Sequence, residues 1–336
     1  MKKNLMIWII TSQLVLVLLA GISSAETISK GEFFEIVRHG TADEVRGAIA
    51  SGADIRAKKT MIVNGEDFEA NALMHAAKVN PNPEIIRALV EEGLNVDALT
   101  NREYTALMLA AGFNKPEVVK ELIRVGGDIN AFDWDLQTPL KWAVRYNEDP
   151  EVTKALIEAG SDVEFSAPGD FSVLMVAAWF NNNSEIIKLL LDAGADINLQ
   201  NFMGENALML AAENNENSEV TKVLIERGTD VNALSLDHFS PLMYAAMGNT
   251  NPEVIRLLLE TGAEINALDI FNSNALIWAC QFNENPEVIK LLLEAGADVT
   301  IRDEDGKSAL DYARENENLF ETEVFQLLLD LSSENN

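Results

Sequence analysis

The sequence predicts an all-α repeat solenoid of about nine helix-turn-helix units, caps included, with hairpin-like fingers between them. Three observations carry this reading. An Ala/Pro-Leu-Met-x-Ala-Ala segment recurs with its leucine at Leu73, Leu107, Leu140, Leu174, Leu208, Leu242, Leu276 and Leu310, in steps of 34, then 33, then 34 throughout. A second apolar run follows each of these segments, as in Val288-Ile289-Lys290-Leu291-Leu292-Leu293. The linkers are polar and turn-rich, and Asp196 to Leu208 is too long for a tight connection between helices, so it should project as a finger at right angles to them.

Each element has a local cause. In the unit from Asn274 to Thr300, Ala275-Leu276-Ile277-Trp278-Ala279-Cys280 begins a short first helix. Asn285 can cap a second helix, Pro286 sits at its first position where no donor is needed, and Glu287 suits its positive end. The second helix is apolar around most of its circumference, which fits a helix held between two neighbouring units. Gly296 stops it in the left-handed conformation.

These residues resemble the ankyrin repeat family, whose units read as a finger, a Thr-Pro-Leu-His-x-Ala-Ala helix, a turn, a Val-Val-x-Leu-Leu-Leu helix and Gly-Ala-Asp-Val-Asn. The resemblance is carried by Thr138-Pro139-Leu140, Ser240-Pro241-Leu242, Gly194-Ala195-Asp196-Ile197-Asn198 and Gly296-Ala297-Asp298-Val299, and it covers residues 30 to 330. Two departures stand out. The family's histidine is replaced by Met74, Met108, Met175, Met209 and Met243, so packing should replace its bond to the finger. The family's turn glycine is replaced by Asn80, Asn114, Asn147, Asn181, Asn215, Asn249 and Asn283. Asparagine tolerates left-handed backbone better than other non-glycine residues, so a left-handed turn is expected there. All of these turns except the one at Asn114 hold one extra residue, which accounts for the 34-residue step.

Along the chain, residues 1–25 read as a signal peptide. Met1-Lys2-Lys3 is basic, Leu5 to Ala20 is apolar apart from Thr11-Ser12-Gln13, and Ser23-Ser24-Ala25 places small residues before a cleavage site after Ala25. The interrupted apolar run is shorter than the roughly 20 residues that span a bilayer. Ile22 stands where a lipoprotein signal needs cysteine, so lipidation is not expected. A periplasmic or secreted protein with no stable membrane insertion after cleavage follows. Residues 26–59 form a capping repeat, and 60–70 a lengthened finger, in which Asn64-Gly65 between Met61-Ile62-Val63 and Phe68 signals a tight hairpin. Seven repeats occupy 71–307, and 308–336 is a carboxy-terminal cap with a polar tail.

Composition excludes much chemistry. The chain has 336 residues and a net charge of -29, which argues against nucleic acid and against an anionic membrane surface, and leaves a protein with a basic surface as a compatible partner. Three histidines and one cysteine remove most metal sites and thiol-imidazole pairs, so no metal, cofactor or catalytic residue is expected. His75 should be in solvent contact or ordinary packing and not a ligand, and Cys280 a buried apolar group. Asp303-Glu304-Asp305-Gly306 resembles the start of a calcium loop but lacks its later ligands, and reads as a finger turn.

The positive signal is aromatic. The resemblance implies partner binding on a concave face made by finger tips and first-helix ends. Carried over position by position, it gives Trp134, Phe202, Leu236 and Ile270 at one tip position and Met203 and Phe271 at the next. Tyr104, Phe171 and Phe239 follow later in the finger, and Phe113, Tyr146, Trp179, Phe180 and Phe282 lie at helix ends. Apolar tips gain little in water unless covered. The expectation is an exported, monomeric, non-enzymatic scaffold that binds another protein through this aromatic groove. One alternative is an exported factor acting on a foreign-cell protein. The other is an enzyme with a small-molecule pocket between fingers, for which Asp237 and His238 are the nearest candidates.

Overall fold

The structure is a computed structural model that describes residues 28–166, 170–320 and 322–334. The expected signal peptide lies outside the described residues. The chain divides into two compact units, Met1–Asp162 and Val163–Asn336.

The first unit holds α1 (Lys30–His39), α2 (Ala42–Ala50), β1 (Lys59–Val63), β2 (Glu66–Ala70), α3 (Ala72–Val79), α4 (Pro83–Glu91), α5 (Ala106–Phe113), α6 (Pro116–Arg124), α7 (Pro139–Tyr146) and α8 (Pro150–Glu158). The second holds α9 (Val173–Phe180), α10 (Ser184–Asp192), α11 (Ala207–Asn214), α12 (Ser218–Glu226), α13 (Pro241–Gly248), α14 (Pro252–Glu260), α15 (Ala275–Phe282), α16 (Pro286–Glu294), α17 (Ala309–Glu315) and α18 (Glu323–Glu334). Within each unit the first helices of successive repeats pack on one another, as α5 does on α7 and α11 on α13, and the second helices form a parallel row. The Ala-Ala pairs Ala76-Ala77, Ala110-Ala111 and Ala211-Ala212 are fully buried, because small side chains let the first helices approach closely. In the second row Ile85, Ile86, Leu89, Ile186, Ile187 and Leu190 are equally buried.

The helix starts follow the sequence signals. Asn71, Thr105, Thr138, Ser172, Asn206, Ser240, Asn274 and Ser308 each accept the N–H three residues on, satisfying an otherwise unpaired donor of the first helix. The methionines do more than pack. The N–H groups of Thr105, Ser172 and Ser240 donate to the sulfurs of Met108, Met175 and Met243 at 3.5, 3.4 and 3.5 Å, so sulfur takes the reciprocal place of a capping carboxylate.

β1 and β2 pair antiparallel around Asn64 and Gly65, with Met61 facing Phe68. Both turn residues have positive φ, 53° and 78°, the geometry that lets a two-residue turn match strand twist.

The turn asparagines correct the expectation of left-handed backbone. Asn80, Asn114, Asn147, Asn181, Asn215, Asn249 and Asn283 are all extended, with φ between -126° and -75°. Their side chains supply the reason. The Nδ2 of Asn249 donates to the carbonyls of Ala212 and Asn215 one repeat earlier, at 2.9 and 3.0 Å, and its Oδ1 accepts from the N–H of Asn251 at 2.9 Å. Asn283 makes the same pair to Ala246 and Asn249, Asn215 to Ala178 and Asn181, and Asn114 to Ala77 and Asn80. Buried carbonyls at the ends of the first helices are thereby satisfied across these repeat boundaries within each unit. The extra turn residue supplies the second-helix cap: Asn82, Asp149, Asn183, Asn217, Asn251 and Asn285 cap their helices, whereas Lys115 of the shorter turn makes no cap bond.

Candidate functional site

Six of the described fingers are each built on one inward polar residue. The side chains of Thr100, Asp133, Asn201, Asp269 and Asp303 accept the N–H groups two and four residues on, and Ser235 accepts from Phe239, closing a tight loop. The third residue after each must turn left-handed. Glu103, Leu136, His238 and Asn272 have φ between 55° and 61°, and Gly204 and Gly306 occupy the same place at 76° and 78°. The non-glycine left-handed residues therefore lie in the fingers, while the second helices end on left-handed glycines such as Gly194 and Gly296. Leu136 is the branched apolar side chain in that set, and Leu136→Gly is expected to raise stability by about 1 kcal/mol, read as a higher urea midpoint.

The loop geometry decides where the neighbouring side chains go. Because the central residue turns inward, the residues on either side turn out: Phe132 and Trp134 about Asp133, Leu234 and Leu236 about Ser235, Leu268 and Ile270 about Asp269. Trp134 is 62% exposed, Phe202 63%, Leu236 70% and Ile270 50%, so these tips are not packed as core. Met203 is also exposed. Phe132, Leu234 and Leu268 were not singled out from sequence, although a two-residue alternation around the inward polar residue was there to be read.

The remaining sites separate into clusters within each unit. In the first, Tyr104 and Phe113 pack edge-on to Trp142 at 4.8 and 6.1 Å, and Phe113 stacks on Tyr146 at 5.4 Å. Trp142 is buried and donates through Nε1 to Asp133 at 2.9 Å. Burial raises the Asp133 carboxyl, while its turn amides and Trp142 oppose the rise. The hairpin tip joins this cluster, since Asn64 donates to the Tyr146 hydroxyl at 2.6 Å and Lys78 lies 4.9 Å over the Phe113 ring. A cavity of about 320 Å³ opens there, lined among others by Asn64, Glu66, Tyr104, Asp135 and Tyr146. Trp134 stands apart, with the Arg102 guanidinium 5.8 Å from its ring.

In the second unit Trp179 stacks on Phe180 at 4.9 Å beside Phe171, and Trp278 stacks on Phe282 at 5.8 Å with Phe271 at its edge. Phe180 and Phe282 are exposed, and Phe171, Trp179 and Phe271 half-buried. Phe239 is a correction: it is buried, 5.0 Å from Trp278 and 5.5 Å from Tyr244, because the finger folds its ring under the tip. Trp142, Tyr244 and Trp278, missed from sequence, organise these clusters. The signal was an acid nine residues before an aromatic, seen in Asp133 with Trp142, Asp269 with Trp278 and Asp303 with Tyr312, each pair hydrogen-bonded.

The chemical candidates fall into structural places. His238 is an exposed left-handed turn residue. The Asp303 carboxylate is occupied by its own turn amides and by the Tyr312 hydroxyl, whose pKa it helps push up to about 12. Cys280 is fully buried, which raises its thiol pKa. No group of three or more potential metal ligands occurs among the described residues, and none of their helices is long and apolar enough to cross a membrane.

A family model described as ankyrin repeats, three copies, matches residues 34–133, 73–167, 174–269 and 253–336. An Arabidopsis thaliana protein ascribed E3 ubiquitin-protein ligase activity, XBAT31, is 35% identical over 80 residues, 24% of this chain and 18% of its own. The ankyrin repeat protein FPV014 of Fowlpox virus (strain NVSL) is 33% identical over 113 residues, 31% of this chain and 25% of its own. The chain thus spans a quarter or less of the length of these curated relatives.

Proposed function

Because this chain belongs to the ankyrin repeat family, we propose that it is an exported, non-enzymatic scaffold that holds another protein through its finger tips and first-helix ends. The observation that carries the reading is the exposure of Trp134, Phe202, Leu236 and Ile270 on fingers whose backbone is closed by buried polar residues. Large apolar side chains held rigidly in water are the anchors that dominate protein interfaces, each worth about 2 kcal/mol or more when covered. The ankyrin fold supports protein binding in general, and the residues of this surface make it specific. Export rests on the basic start, apolar run and small-residue site of residues 1–25.

The test is affinity capture from the native envelope extract with the parent chain and a Phe202→Ala, Leu236→Ala, Ile270→Ala variant. These side chains are exposed, so the variant should keep the parent melting temperature. A protein retained by the parent and lost by the variant is the expected result, and equal retention by both would remove the finger tips from the site. Amino-terminal sequencing of the native protein should begin at Glu26, and an intact Met1 would overturn export by cleavage.

A further inference from the structure

The second unit is strongly acidic, with eight basic residues against thirty acidic ones between positions 163 and 336. Every one of those eight is already engaged. Lys188, Lys222, Arg256 and Lys290 pair with the acid three residues earlier on the second helices. Arg227 pairs with Asp192, and Arg302, Lys307 and Arg314 pair with Asp311 and Glu315 in the last repeat. Among the described residues, none of these ion pairs involves Asp237 or Glu213.

Two features place negative charge on the repeats that carry these apolar tips. Asp237 is exposed beside Leu236. Glu213 lies at the end of α11, half-buried, with the Asn214 side chain as its hydrogen-bond donor at 2.8 Å. Behind it Glu205 is buried, accepting the Tyr244 hydroxyl at 2.7 Å. Burial raises the Glu213 carboxyl and the Glu205 charge adds to the rise. Gly248 of α13 makes the room, since a Cβ there would sit 2.8 Å from the Glu213 side chain.

The surface is also fixed in shape. The Leu236 N–H donates to the Met203 carbonyl at 2.9 Å, and the Ile270 N–H to that of Asp237 at 3.2 Å, tying successive finger tips together. A partner therefore need not order the fingers on arrival.

We propose that this finger face docks a basic protein segment, one whose apolar side chains seat on Phe202, Leu236 and Ile270 and whose lysine or arginine reaches Glu213. The proposal rests on the scaffold reading above and adds the class of partner. Charge complementarity selects it: an acidic segment would meet Asp237 and Glu213, which none of these ion pairs engages, while a basic one supplies the opposite charge.

The test is selection of a phage-displayed library of random dodecapeptides on the full chain, with binding of enriched peptides measured by fluorescence anisotropy on the parent, Glu213→Gln and a Leu236→Ser, Ile270→Ser variant. The expected outcome is enrichment of peptides combining arginine or lysine with large apolar residues. Their affinity should fall about tenfold in Glu213→Gln and further in the serine variant, and should weaken with salt. Acidic or neutral peptides lost by the serine variant but indifferent to Glu213→Gln would overturn the basic class and leave the finger-tip scaffold standing. A selection that yields no peptide sensitive to the serine variant would overturn the docking surface and the scaffold reading with it.

Discussion

Asn249→Gly is expected to destabilise the second unit by about 4 kcal/mol, although glycine is what related repeats carry at this turn. The backbone at Asn249 is extended, with φ -88°, so glycine's freedom offers nothing there. The side chain is 2% exposed, and its removal strands the carbonyls of Ala212 and Asn215 and the N–H of Asn251 in the interior. Each abandoned buried group costs about 1–3 kcal/mol, set against a small gain from the unfolded chain. Urea denaturation with hydrogen exchange read at Asn249 and Asn283 would check it. A Gly variant as stable as the parent would mean that water takes over the ladder and that the asparagines are interchangeable with glycine.

His75→Leu is expected to remove an acid sensitivity of about 3 kcal/mol from the first unit. His75 is 5% exposed, packs edge-on at 5.2 Å against Phe34, and has no hydrogen-bond partner on either ring nitrogen. Burial is the largest cause lowering its pKa from 6.5 to about 4, followed by the charges of Lys59 and Arg38, with Lys78 adding to them and Glu35 opposing. The folded chain holds the ring neutral while the unfolded chain protonates near 6.5, so the unfolded state binds more protons in that window. Stability is full above pH 6.5 and is lost as the pH falls toward 4. Leucine abolishes that dependence, and at pH 7 it should also add about 1 kcal/mol by removing two unsatisfied polar atoms. Melting temperatures of both proteins at pH 7 and pH 4.5 decide it. Parallel losses on acidification would assign the sensitivity to the carboxylates.

The same two residues mark where reading the chain stops. Asn249 repeats at a fixed place in every turn, so its importance was visible, but its role was not. Its partners lie one whole repeat away, at separations of 34 and 37 residues, and a local propensity for left-handed backbone was the wrong cause. For His75 the sequence left solvent contact and packing both open, and its burial without a partner for either nitrogen depends on Phe34 of α1 packing against it. At the surface, the tips Trp134, Phe202, Leu236 and Ile270 were legible because a large apolar residue in a polar loop is anomalous by composition alone. Phe239 looked like one of them and is instead beneath Trp278, because the direction of a side chain in a finger is set by which neighbour turns inward.

What the sequence by itself determined about this protein is therefore periodic and local: the repeat length, the helix starts at Thr, Ser and Asn caps, the Asn64-Gly65 turn, the buried alanine pairs and the acid excess. These follow from interactions between residues within about one turn of helix or one hairpin, which a pattern of residue types can encode. Only the tertiary structure decided which carbonyls the asparagines hold, which aromatics are covered and where Glu213 meets Glu205. Those depend on stacking one repeat on the next, where two groups distant along the chain meet only because the helices between them have packed.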